Sequence, residues 1–275
     1  MARVMLKTRE VGEVFPEELN ARTGWDFDRG QNAERPLFVI HPSKRDGDSL
    51  ELARDGIQEL VDRLHSKMRA VIIAPPGGSV YLREGTSVDS VRDSARTYDW
   101  ITSGDLTGVT RLALAGGNLE LCLADALNEV KYCATTDSSK EPIQVDLPLN
   151  AIYSRHGLTA AQLFNEISRA RGELFAAVSI LSSHEPRIDY GGGMAHGDIS
   201  VVSPKEAVAY EFQINGKSIG IISPKDTLQA PRTIKINLEL ADTDPIQASD
   251  DLDRLCADKI NHTVGLLEQY SVMQK

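Results

Sequence analysis

Cysteine is scarce in this chain. Cys122, Cys133 and Cys256 are the only three in 275 residues, an odd set at irregular spacings that excludes a disulfide framework and a zinc knuckle. They read as reduced thiols. Long apolar runs are missing too: no stretch approaches the roughly 20 apolar residues needed to span a bilayer. The opening MARVMLKTREVGEVF carries a charge every few residues and lacks the apolar core of a secretory signal. The expectation is a cytoplasmic chain with no membrane partner. Basic charge is the third shortage, with 30 Lys and Arg against 40 Asp and Glu for a net charge of -10. Phosphate-backbone binding rests on accumulated cations, so nucleic acid is excluded as an expected partner.

What is present is ordinary for a globular chain, at 41% hydrophobic and 25% charged residues. Residues 1–35 show no sustained period and read as an irregular arm with a short helix near Pro16. Leu37-Phe38-Val39-Ile40 then forms a continuous apolar run, as expected of a strand buried on both faces. Leu52, Ile57, Leu60, Val61 and Leu64 predict an amphipathic helix over 49–67, capped by Ser49. A second strand follows at 70–74, a helix at 87–100, a third strand at 110–115 and a third helix at 118–131. Strand alternating with helix predicts a parallel sheet with right-handed crossovers, an α/β core of three layers over 36–183 with helices on its flanks.

The remainder has another texture. A fourth strand is expected at 143–147 and a helix at 159–181. Over 188–240 β-branched residues alternate, and Asn215-Gly216 is a strong hairpin signal because both turn positions need positive φ. Residues 184–275 therefore predict a β-rich antiparallel extension closed by a C-terminal helix from Ser249. That helix carries Leu252, Leu255, Cys256, Ile260, Val264 and Leu267 on one stripe, for packing on the body or on a second copy in a homo-oligomer.

Candidate site residues gather at strand exits, because ligands of open parallel sheets bind outside the carboxyl ends. The first exit offers His41, Ser43, Lys44, Asp46 and Asp48; the second offers Pro75-Pro76-Gly77-Gly78, Arg83 and Glu84; the third offers Gly116, Gly117, Asn118, Glu120 and Cys122. Cys122 reads two ways. A position in the opening turns of a helix favours thiolate, whereas Leu119, Cys122, Leu123, Ala126, Leu127 and Val130 recur at helical spacing and place it on a buried stripe. The polar run HEPRIDYGGGMAHGD holds His184, Glu185, Asp189, His196 and Asp198, yet without a recognised ligand spacing it reads as a surface loop. No metal and no cofactor are expected.

Residues 37–133 resemble the isochorismatase-like cysteine hydrolases: LFVIH as the first strand with a polar residue at its end, and Gly116 followed after five residues by Cys122 opening a helix. The resemblance implies a cysteine that attacks an amide or ester carbon, assisted by an aspartate after the first strand and a lysine after a later one. Cys122 matches the nucleophile. His41 occupies the aspartate position, with Asp46 or Asp48 on the following loop. No lysine lies between Lys67 and Lys131, which leaves Arg83 as the nearest cation, one that stays charged and takes no proton.

Two functional expectations follow. One is hydrolysis of a small amide or ester, with Cys122 as nucleophile, His41 as base and Arg83 as cation. Gly117 and Asn118 then supply oxyanion amides, and Glu120 and Asp46 contact the substrate. The other is an inactive scaffold retained for binding or self-assembly.

Overall fold

The computed structural model describes residues 4–5, 13–14, 35–42, 50–64, 69–74, 80–83, 86–93, 101, 103–136, 142–154, 156–182, 208–225, 232–241 and 250–275. Their strands are β1 Val4–Met5, β2 Glu13–Val14, β3 Pro36–Ile40, β4 Arg69–Ala74, β5 Val80–Tyr81, β6 Ser87–Val88, β7 Ser90–Asp93, β8 Arg111–Gly117, β9 Ile143–Pro148, β10 Ile152–Tyr153, β11 Val208–Ile214, β12 Lys217–Pro224, β13 Arg232–Glu239 and β14 Tyr270–Gln274. The helices are α1 Leu50–Leu64, α2 Ser103–Leu106, α3 Ala124–Thr136, α4 Ala160–Arg171, α5 Glu173–Leu181 and α6 Asp250–Leu267. The expected helix near Pro16 and the Ser49 cap lie outside the described residues.

The fold is α/β, built on one ten-stranded sheet in the order β14-β12-β11-β13-β9-β8-β3-β4-β7, with β10 added to β8. From β7 to β11 every neighbouring pair is parallel. β3 lies near the middle, and Leu37 to Ile40 are all fully buried, each contributing roughly 1.5–3 kcal/mol by leaving water. From β3 the chain steps outward to β4 and β7, then crosses back to β8 on the other side of β3. Steps in opposite directions with right-handed connections put their helices on opposite faces. Accordingly α1 sets Ile57, Leu60 and Val61 against Leu37, Val39 and Ile72. On the other face α3 sets Leu127 and Val130 into the larger cluster with Phe38, Ile40 and Ile73.

Three segments differ from the sequence expectation. Residues 87–88 and 90–93 are strand, not helix, and 94–100 lie outside the described residues: β7 pairs with β4, Val71 opposite Ser90 through Ala74 opposite Asp93, and that ladder satisfies a short segment whose own pattern is ambiguous. The helix expected at 159–181 is broken by Gly172 at φ 86 into α4 and α5. A capping box starts α4, with the Thr159 hydroxyl accepting from Gln162 N at 3.3 Å and Gln162 Oε1 accepting from Thr159 N at 2.8 Å. Finally, among the described residues of the C-terminal part antiparallel pairing is confined to β11-β12 and β12-β14. β13 runs parallel to both β11 and β9 and so continues the main sheet. Asn215 and Gly216 do form the hairpin turn, at φ 47 and 81.

The terminal helix stripe packs on the body. Leu252 and Leu255 are buried, Cys256, Ile260 and Leu267 are packed against the large cluster, and Val264 is exposed. Burial and the carboxylates Glu166 and Asp253 push the Cys256 thiol up to about 11. Two buried polar contacts fix α6 on α5: Lys259 Nζ donates to the Ser182 carbonyl at 3.0 Å, and the Ser179 and Thr263 hydroxyls meet at 2.8 Å.

Candidate functional site

The strand order reverses between β3 and β8, and a crevice outside their carboxyl ends is where an open α/β sheet binds ligands. Two glycines let the chains meet there. Gly116 has φ 91, and a Cβ on it would stand 1.9 Å from the Ile40 carbonyl oxygen. A Cβ on Gly117 would stand 2.6 Å from the Tyr153 carbonyl oxygen. The glycine pair therefore presses the end of β8 between β3 and β10. The register agrees, with Ile40 opposite Gly116 and Tyr153 opposite Gly117.

Beyond this junction the Gly117–Asn118 peptide is cis, and the chain enters a π-helical turn, Leu119–Leu123. The Asn118 carbonyl accepts from the amides of Leu121 at 3.2 Å and Leu123 at 3.0 Å. Cys122 lies in this turn, half-buried, packed against the cluster on the α3 face. Both readings of Cys122 thus retain a structural basis: it touches the core, and it stands just past the switch point.

His41 leaves β3 at φ 44, an unusual conformation for a residue with a side chain. Such a conformation costs on the order of 1–3 kcal/mol and persists where the surroundings enforce it. Here its amide donates to the Ile73 carbonyl at 2.8 Å, and the Tyr153 hydroxyl donates to its carbonyl at 2.6 Å. Glu120 is only 3% exposed, and the Ser154 hydroxyl donates to its Oε1 at 2.5 Å. Ser154 Oγ also accepts from the His156 amide at 3.1 Å. A buried carboxylate one residue past Leu119 is not what a core-packing stripe requires.

Of the residues expected at the site, His41, Gly117, Asn118, Glu120 and Cys122 come together at the ends of β3, β8 and β10. Arg83 does not join them. It is exposed, its amide donates to Gln58 Oε1 at 2.7 Å and its guanidinium stands 3.8 Å from Asp62. Both partners are on α1, on the sheet face away from Cys122. Asp46, Asp48 and Lys44 lie outside the described residues, as do Glu84, residues 75–79 and the run from His184 to Asp198. Among the described residues no group of three or more His, Cys, Asp or Glu stands close enough to hold a metal ion, and no helix is long and apolar enough to cross a membrane.

Tyr153 and Ser154 stand at the same junction, bonded to His41 and Glu120, and the sequence reading did not name them. Their signal was the apolar Ile152-Tyr153 just after Pro148, a further short strand beside β8. A second omission is Asp146, a charge inside the apolar strand Ile143–Pro148. It is fully buried. Arg111 donates to it from Nε at 2.6 Å and from Nη2 at 3.1 Å, Asn237 Nδ2 at 2.8 Å and Gln144 Nε2 at 2.9 Å, and Arg35 Nη2 also contacts it. Burial alone would raise its pKa. The hydrogen bonds from Arg111, Asn237 and Gln144, with the field of Arg35, outweigh that and hold the carboxyl below its ordinary 3.8.

No protein-family model matches the chain, and no curated protein does. Among solved structures it is similar to a hypothetical protein from Trypanosoma cruzi, at 7% identity and a TM-score of 0.35 over 46% of this chain and 71% of that one. A likeness that distant bears on neither family nor function.

Proposed function

We propose that the chain is a divergent isochorismatase-like hydrolase that cleaves a small amide or ester through Cys122. The supporting observation is the junction of β3 and β8, where Ile40 pairs with Gly116, so that His41 follows one strand and the turn bearing Cys122 follows the other. In this reading the His41 imidazole takes the thiol proton, and the sulfur attacks the carbonyl carbon. The tetrahedral oxyanion is held by the Gly117 and Asn118 amides. The imidazolium returns its proton to the leaving amine or alcohol as the carbon–heteroatom bond breaks. Water, deprotonated by His41, then releases the acid from the thioester. Arg83, held on α1, takes no part.

The scaffold reading keeps one observation of its own, the contact of Cys122 with the large apolar cluster. In either case the partners are a small molecule and a second copy of the chain, for which Val264, exposed on α6, offers a foothold. The compartment is the cytoplasm. Incubation with p-nitrophenyl acetate, followed by intact-mass and peptide analysis, tests the proposal. An acetyl adduct on Cys122 with turnover that vanishes in Cys122→Ser supports hydrolysis. Absence of both adduct and turnover on ester and amide panels overturns it in favour of the scaffold.

A further inference from the structure

We propose a second ligand site, on the α1 face of the sheet, that takes a small zwitterion of the amino-acid or dipeptide class. A cavity of about 630 Å³ opens there, lined by α1, the starts of β3 and β8, and the ends of β9 and β13. That volume falls in the range of small-molecule sites, roughly 300–1,000 Å³. Its origin is the alternation of β9 and β13. Their apolar residues, Val145, Leu147, Ile236 and Leu238, join the cluster on the other face. Asp146 and Asn237 are left with their polar network on this one.

The network leaves specific groups over. Arg111 spends Nε and Nη2 on Asp146, and Nη1 remains available. Arg63 and Glu59, one helical turn apart on α1, make no ion pair among the described residues, and both line the cavity. Asn150 Oδ1, also in the lining, is buried with no hydrogen-bond partner, as is Arg35 Nε. Glu239 stands 3.7 Å from Arg35. Buried polar groups are ordinarily satisfied, so orphans in a cavity wall point to a bound partner. The two buried orphans are of both kinds, a donor on Arg35 and an acceptor on Asn150, and charged groups of both signs, Arg63, Arg111, Glu59 and Glu239, stand around them on the open part of the wall.

Charge decides the class of ligand. Three guanidiniums are balanced by three carboxylates, Asp146, Glu59 and Glu239. A ligand with net charge would upset that balance in a partly desolvated cleft, whereas a carboxylate and an ammonium on one small molecule meet both sets. Leu60, Ala113 and Leu240 supply an apolar seat between them. The cavity faces away from Cys122, so its occupancy does not depend on the hydrolase reading.

Calorimetric titration of the full chain with glycyl-leucine tests this, with N-acetylglycyl-leucine as the anion alone and glycyl-leucinamide as the cation alone. The zwitterion binds, and each capped form binds about tenfold more weakly, the loss expected for one charged hydrogen bond. Arg63→Gln, at an exposed position without contacts to lose, weakens glycyl-leucine by about fivefold or more and leaves glycyl-leucinamide unchanged. The proposal is overturned by absence of binding up to about 10 mM, by equal affinity for a capped form, or by an Arg63→Gln variant that binds glycyl-leucine as the wild type does.

Discussion

Asp146 is the most informative place to perturb the fold. Its carboxylate is fully buried, facing Arg111 and Arg35, whose side chains are 45% and 27% exposed. Asp146→Ala leaves two guanidiniums near one another with no anion between them, and removes the acceptor for Asn237 and Gln144. Breaking a fully buried pair costs about 3–5 kcal/mol. Because Arg111 is half open to water and regains hydration, the lower end applies, about 3 kcal/mol. For a chain of this size that is a fall in Tm of about 6–12 °C. The pH dependence has a definite sign. The folded carboxyl titrates below its ordinary 3.8, so its stabilisation is complete above that value and is lost as pH falls through the folded pKa. Urea unfolding followed by circular dichroism should show a wide gap between wild type and variant near neutrality that closes below about pH 4. A gap under about 1 kcal/mol at neutral pH, or one that does not shrink in acid, refutes the role assigned to this network.

Two glycines at similar φ should behave differently. At Gly116 a Cβ meets the Ile40 carbonyl oxygen at 1.9 Å, so Gly116→Ala should cost at least about 3 kcal/mol by urea unfolding. Gly172, at φ 86 and ψ 163, has nothing within 4 Å of its added Cβ, so Gly172→Ala should cost only backbone strain, on the order of 1–3 kcal/mol by the same assay. A cost at Gly116 no larger than at Gly172 contradicts the account of the strand junction. The Cys256 thiol, raised from 9.0 to about 11, should alkylate about a hundredfold more slowly than an ordinary thiol near pH 8 by quantitative peptide mass analysis. Labelling at the ordinary rate would show that burial by α6 is not maintained in solution.

The α/β core was legible because β3, β4 and β8 are continuous apolar runs, which only a strand covered on both faces tolerates. The glycine pair at the end of β8 was legible as a turn, but its purpose was not. That it admits Ile40 on one side and Tyr153 on the other depends on residues 76 and 36 positions away. β7 escaped because Ser90-Val91-Arg92-Asp93 has too few apolar residues to show any period, and β4 supplies the ladder that makes it a strand. Alternation over residues 208–239 revealed half-buried strands and the Asn215-Gly216 turn revealed one hairpin. Alternation is the same in both strand directions, so the parallel course of β13 was hidden. The candidate site was legible only as far as strand exits are. His41, Asn118, Glu120 and Cys122 lie on strand exits that a linear reading can number, whereas Ser154 reaches Glu120 across 34 residues. Arg83 was drawn in by its position in the chain, and Gln58 and Asp62 of α1 hold it elsewhere.

The central proposal is that Cys122 is a reactive thiol at the junction of β3 and β8. Pulse labelling of the native chain with iodoacetamide across a pH series, read by peptide mass analysis, tests it most directly. The account predicts rapid modification of Cys122 near neutrality, well ahead of Cys256, and slower modification in His41→Ala. Contradiction would be a Cys122 that stays unmodified until urea unfolds the chain.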